Sequence, residues 1–280
     1  MLIRGCVPFI VILILIAAPE YSGGQSPENP GRAFRELTRF DAADAHQGVA
    51  VDSRYFYAIS TRAIGKYDKA TGAQIDRWEG TASGPIIHLD SGVIVNDTLV
   101  CAHSNYPGIP MTSSVEMWDA ETLEHIGTHS FGIHRGSCTW IDRHDGYWWA
   151  VFANYNRVFG RSREAYGNSY WTSLVKFDDH WQWLESWVFP DSVIGRALPM
   201  SISGGSWGPD NVLYCTGHDR EEVYVLALPE AGSVLTLLDI VSIPTAGQGI
   251  AWDRSNPGML YGIDRSRKQV VRIQLTRETR

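Results

Sequence analysis

The sequence predicts an all-β fold, a single β-propeller, on three observations. First, a hairpin signature recurs. Its clearest copy is Ile64-Gly65-Lys66-Tyr67-Asp68-Lys69-Ala70-Thr71-Gly72 followed by Gln74-Ile75-Asp76-Arg77-Trp78, two alternating strands joined by turn-forming residues. It returns at Val115-Glu116-Met117-Trp118-Asp119-Ala120-Glu121-Thr122 and at Leu174-Val175-Lys176-Phe177-Asp178-Asp179, with weaker copies at 223–229 and 270–275. Second, the copies lie roughly fifty residues apart, the period of a four-stranded blade. Third, 280 residues, 44% hydrophobic and 20% charged, suffice for one large core without a second domain. Five blades are preferred, and a sixth fits only if residues 157–187 hide an extra sheet.

Residues 1–24 read as a signal peptide. Arg4 precedes the apolar run from Cys6 to Ala18, and Ser22 and Gly24 offer a small-x-small cleavage site. The run is short for a bilayer span, so a secreted or periplasmic protein with no span after cleavage is expected, and an uncleaved anchor is the lesser alternative. Residues 25–32 lack periodicity and read as a disordered lead. The propeller is expected over 33–280, with 33–40 as an isolated strand that completes a last blade otherwise one strand short. Such a closure removes exposed sheet edges. Cleavage would leave Cys101, Cys138 and Cys215, an odd number that points to buried thiols rather than a disulfide scaffold.

Blade one opens at His46-Gln47-Gly48-Val49-Ala50-Val51-Asp52, runs on through Tyr55-Phe56-Tyr57-Ala58-Ile59-Ser60 and ends in the hairpin already given. Blade two starts near Ile86 and carries an insertion at 104–112. Blade three starts at Ser137 and carries a longer insertion at 154–168, with Tyr155 and Arg157. Blade four starts near Ser201 and reaches His218-Asp219, and blade five contains Gly249-Ile250-Ala251-Trp252-Asp253 and Leu260-Tyr261-Gly262-Ile263. The Gly-Val-Ala-Val-Asp strand, the aromatic-rich strand and Lys-Tyr-Asp-x-x-Thr-Gly resemble the NHL and YVTN propeller repeats. The resemblance covers two blades well and the others loosely. It implies the fold and little about activity, because such propellers host lactonases, lyases, cyclases, cofactor enzymes and inert scaffolds. Gluconolactonase-like relatives would hold a divalent cation through carboxylates and an Asn, for which Asn154 is the counterpart. The tryptophan docking motif of pyrroloquinoline-quinone propellers is not recognisable.

The formal net charge of −7 and the lack of a Lys/Arg cluster argue against a nucleic-acid partner. Inner strands line a propeller's central tunnel, so residues opening them share one mouth with residues ending the antiparallel second strands. A common register puts His46, His88, Ser137, Gly204 and Gln248 in the first set and Ser60, His103, Asn154, His218 and Asp264 in the second. Four of the nine histidines thus meet at one mouth.

Several roles compete for His46, His88, His103 and His218. They could ligate a divalent metal as neutral imidazoles. They could serve as general acids and bases on a small polar or carbohydrate-like substrate, with Tyr106 or Tyr155 as proton donor, Arg157 or Arg265 holding a carboxylate, and Asn154 and Gln248 contacting substrate. They could bind a ligand passively or merely satisfy strand ends. The expected chemistry is of lyase, isomerase or lactonase type. The alternative is a non-catalytic scaffold for a protein or glycan. Trp181, Trp183 and Trp187 read as packing, or else as a sugar-stacking surface. His125 and His129, four apart but in a strand, are poor metal ligands.

Overall fold

The computed structural model of the protein describes residues 31–158, 160, 165 and 167–278. These begin with β1 (Gly31–Asp41), which the chain leaves to build four sheets in succession. Blade one holds β2 (Gly48–Val51), β3 (Tyr55–Ile59), β4 (Ala63–Asp68) and β5 (Gln74–Glu79). Blade two holds β6 (Leu89–Val95), β7 (Thr98–Ser104), β8 (Ser113–Asp119) and β9 (His125–Gly132). Blade three holds β10 (Ser137–His144), β11 (Tyr147–Ala153), β12 (Ser173–Phe177) and β13 (Trp183–Val188). After helix α1 (Asp191–Ala197), blade four holds β14 (Gly204–Trp207), β15 (Leu213–Thr216), β16 (Glu222–Ala227) and β17 (Thr236–Ser242). In blade five, β18 (Ala251–Trp252), β19 (Met259–Asp264) and β20 (Gln269–Glu278) are joined by β1, which pairs antiparallel with β20 from Gly31↔Glu278 to Asp41↔Gln269. The N-terminal strand therefore closes a five-bladed ring. It begins at Gly31, slightly ahead of the expected Ala33, and the expected signal peptide lies outside the described residues. Among the described residues, the stretch from Arg157 to Trp187 supplies one 3-10 turn (Ser169–Trp171), β12 and β13, and no sixth sheet.

The hairpin signature has a local cause. Asp68 Oδ1 accepts hydrogen bonds from Ala70 N, Thr71 N and Thr71 Oγ1, and Asp119 Oδ1 repeats the set with Glu121 N, Thr122 N and Thr122 Oγ1. One carboxylate thus takes up the donors that the turn frees. The following residue must be left-handed, and it is Gly72 at φ 73° in one copy and Leu123 at φ 53° in the other. Leu123 bears that cost while buried among Ile86, Leu99 and Trp118.

The core lies between blades. Trp118, Ile59, Ile64 and Leu99 fill the seam of blades one and two, while Phe152, Ile141 and Val115 fill the next. Trp140, Trp149, Trp207 and Tyr224 join blades three and four, with Tyr214 and Trp252 joining four and five and Phe56 and Tyr261 joining five and one. Most tryptophans are therefore packing groups. Trp187 is buried, Trp181 stacks on Trp148 at 4.7 Å, and Trp183 is exposed, so the three make no common stacking surface. On the axis, Val51, Gly92, Ile141, Ser206 and Trp252 surround a cavity of only about 10 Å³. That is room for one water at most. The expected tunnel is filled at this level, because glycines let the inner strands approach: a Cβ at Gly205 would lie 2.5 Å from Trp140 Cε2.

Candidate functional site

The inner strands β2, β6, β10 and β14 begin on the face where β3, β7, β11 and β15 end. His46 precedes β2, His88 immediately precedes β6, His103 lies near the end of β7 and His218 follows β15. His88 is mostly buried with its ring 5.1 Å from that of Tyr106, which in turn lies 5.3 Å from Tyr155. The insertion after β7 presents Tyr106, and Asn105 staples it by donating from Nδ2 to Pro110 O at 2.8 Å and accepting from Thr112 N at 2.7 Å.

Burial lowers the basicity of this cluster. Desolvation, helped by His103 and His46, pushes His88 down to about 4. Burial also lowers His46, with Arg265, Lys268 and His218 adding to the effect. His218 is lowered by burial against the pull of Asp219. These rings feel one another, so His46, His88 and His218 share a neighbourhood in which burial disfavours the charged imidazolium.

His218 is the best-defined of them. Its Nδ1 lies 2.5 Å from Asp219 Oδ1, and Arg265 Nη1 lies 3.2 Å from its Nε2. A guanidinium can only donate, so Nε2 accepts and Nδ1 carries the proton given to Asp219. Gln248 holds the turn from behind, its Nε2 donating to His218 O at 3.2 Å and its backbone N to Gly217 O. It is buried at φ 65° and positions His218 from below.

His103 is arranged differently. Ile87 N donates to its Nε2 at 3.1 Å, its Nδ1 lies 2.8 Å from Ser114 Oγ, and Ser114 Oγ donates to Glu116 Oε1 at 2.7 Å. Both ring nitrogens are thus engaged within blade two. Asn154 donates from Nδ2 to Arg135 O at 3.0 Å and Trp171 O at 3.4 Å, fastening loops. Tyr155 is buried and hydrogen-bonded to Ser137, and burial first, then Asp90, raises its hydroxyl well above the usual tyrosine range. Arg157 Nη1 reaches Tyr106 OH at 3.4 Å and Met200 Sδ at 2.9 Å. Among the described residues no three His, Cys, Asp or Glu side chains are grouped as metal ligands. With Arg265 on one ring and the partners of His103 on another, the four histidines do not form a ligand set.

Asp90 belongs to this site, and sequence reasoning assigned it nothing. It is 4% exposed, its Oδ2 is buried with no hydrogen-bond partner, and that oxygen lies 3.8 Å from His88 Nε2. Its position two residues beyond His88 was the available signal. A cleft of about 520 Å³ lies on the opposite face between blades one and two, lined by Asp52, Tyr55, Tyr57, Lys66, Asp119 and Glu121. There Lys66 Nζ is tied to Ala120 O and Glu121 O, while Asp52 and Asp119 hold their own turns. Ionisable groups perturbed by burial, among them His46, His88, His218 and Asp90, gather at the histidine mouth, which favours the mouth as the site.

No family model matches the sequence, and no curated protein matches it either. Solved structures do resemble the chain. A luciferin-regenerating enzyme superposes with a TM-score of 0.52 at 10% identity, covering 89% of this chain and 98% of that one. The PQQ-bound form of an aldose sugar dehydrogenase from Streptomyces coelicolor superposes with a TM-score of 0.52 at 9% identity, covering 90% of this chain and 100% of that one. The fold is a β-propeller. At such identities the likeness shows the fold alone. Among the described residues no helix is long and apolar enough to cross a membrane.

Proposed function

We propose that the protein is an exported propeller of the NHL/YVTN kind whose histidine mouth binds a small polar or carbohydrate-like molecule. It acts on that molecule by proton transfer, in the manner of a lactone hydrolase, lyase or isomerase. The observation that carries this reading is the chain Asp219–His218–Arg265, with a neutral imidazole between a carboxylate and a guanidinium. A ligand carboxylate or ring carbonyl arriving at Arg265 draws the guanidinium from Nε2. The ring then accepts a proton from the ligand, and Asp219 stabilises the imidazolium through Nδ1. Tyr106 serves as donor on the His88 side, its ring lying 5.1 Å from that of His88.

The test is a screen of sugar acids, hydroxy acids and lactones for turnover, with His46→Ala, His88→Ala and His218→Ala beside the wild type. Loss of a general acid or base costs roughly 10²–10⁴-fold in rate, while circular dichroism should stay unchanged. Normal turnover in all three variants would sink the proposal. One observation favours a second reading, a non-catalytic scaffold. Ile109, Ile133, Trp171 and Leu198 are exposed on loops of the same face. Ligand binding without turnover, abolished by Trp171→Ala and indifferent to His218→Ala, would select it.

A further inference from the structure

Asp90 is the buried carboxyl that the reading above leaves without work. It sits behind His88, the more exposed member of the pair, at 17% side-chain exposure against 6%. Its Oδ2 faces His88 Nε2 across 3.8 Å, beyond hydrogen-bond distance, and has no hydrogen-bond partner. A charged carboxylate left in that position is costly, because burial without hydrogen bonds disfavours the ion. We propose that Asp90 and His88 hold one proton between Oδ2 and Nε2, so that Asp90 sets the protonation of the imidazole that meets the ligand.

The step balances without a further reagent. When the proton has moved from Asp90 Oδ2 to Nε2, the ring is an imidazolium paired with a carboxylate, and it donates the proton on Nδ1 to the ligand. The ring left behind is neutral, with Nε2–H toward the carboxylate and its lone pair on Nδ1, and at that nitrogen it takes a proton back from the ligand. Asp90 is therefore a positioning residue acting through His88. This deepens the proposed function and rests on it for the role of the proton, although the pair itself requires no ligand. Burial supports the assignment, since it raises Asp90 well above its usual range and lowers His88. The other titratable or charged groups around the pair are His103 from β7, His46 before β2, Cys138 from β10, and Tyr106, Tyr155 and Arg157 from the two insertions.

The sign of the pH dependence follows. In the unfolded chain the two groups share one proton between their ordinary pKa values of about 4 and 6.5, and none above. The folded pair keeps its proton higher than that, so it destabilises the wild type as pH rises past about 6.5. In Asp90→Asn only His88 remains, held unprotonated, and stability is lost as pH falls below about 6.5. The unfolding constant of the wild type divided by that of Asp90→Asn should therefore rise about tenfold per pH unit from about pH 5 to 7. The other histidines cancel in this ratio. Urea unfolding of both proteins across that range measures it, and a constant ratio overturns the pair.

If Asp90→Asn does not fold, the wild type decides by itself. Infrared spectra with ¹³C-aspartate and long-range ¹⁵N spectra of the histidines then locate the proton at pH 7. A protonated buried aspartate or a doubly protonated His88 supports the pair; a carboxylate beside a neutral ring refutes it. None of these measurements uses a ligand, so the pair can fail while the ligand screen succeeds, or the reverse.

Discussion

Glu116 links the fold of blade two to the mouth, and replacing it with Gln should be costly for a specific reason. Three donors converge on its buried carboxylate: Ser114 Oγ at 2.7 Å, Thr128 Oγ1 at 2.6 Å and His125 Nε2 at 2.9 Å. Ser114 passes the connection to His103, and His103 receives Ile87 N, the amide preceding His88. Gln has the same shape but one acceptor oxygen. Its amide group must face either Ser114 or the Thr128 and His125 pair, donor against donor. A buried donor left without an acceptor costs about 1–3 kcal/mol, and loss of the charge-assisted bonds adds to it. The expected total is about 3 kcal/mol, which for a chain of this size lowers Tm by roughly 6–12 °C. Ser114→Ala alone removes the link to His103 and should cost about 1–2 kcal/mol. In the double variant the Gln amide can turn toward the space that Ser114 leaves, so the losses should fall short of additive by at least about 1 kcal/mol. Urea unfolding of the four proteins at pH 7 gives this coupling. Additivity within about 0.5 kcal/mol would show that Glu116 and Ser114 act separately and would refute the relay.

Two further predictions concern ring closure. Asp264 at the end of β19 binds Ser266 Oγ at 2.7 Å, Arg267 Nη1 at 2.7 Å and, from β1, Arg39 Nη1 at 2.8 Å. Burial alone would raise its pKa, but these bonds outweigh it and hold the carboxyl well below its usual value. A depressed carboxylate contributes stability that is present above its unfolded pKa near 4 and lost as pH falls through the folded value. Asp264→Asn should cost about 2 kcal/mol at pH 7 and flatten the acid limb of the stability curve below about pH 4, as urea midpoints across pH would show; an unchanged limb would contradict the assignment. Gly205→Ala would set a methyl against Trp140, which is fully buried and has no room to move. About 3 kcal/mol of destabilisation is expected, measurable by thermal melts, and a wild-type Tm would mean that the inner strands can separate.

What was legible in the sequence follows the range of the interactions. The Asp-x-x-Thr turn announces itself because Asp68 and Asp119 satisfy donors two and three residues away. The strand at β1 was legible by elimination, since blade five lacked a partner for β20 and an open edge is unfavourable. The mouth was legible in part: antiparallel return within a blade brings the ends of first and second strands together whatever their side chains are. Orientation was not legible. His103 and His218 occupy like places in their blades, yet Ser114 and Glu116 on β8 turn one ring into the sheet, while Asp219 and Arg265 hold the other between blades. Asp219 adjoins His218 in the chain, but Ser114, Glu116 and Arg265 come from another strand or another blade, and no local pattern marks them. Asp90 escaped notice because the register of β6 against β7 shifts between Leu89 and Gly92. A bulge there breaks the alternation from which facing is read, and leaves a carboxyl where a regular strand would put a packing residue. The filled axis has a similar origin. Its cause is the absence of side chains at Gly48, Gly205 and Gly249, and an absence carries no periodicity; only the approach of Ser91 and Trp140 into that space reveals what the glycines are for. A close-packed hub in turn leaves the rim as the place for the proposed chemistry, where rings such as His88 and His218 keep one edge toward solvent while the other is held by the fold.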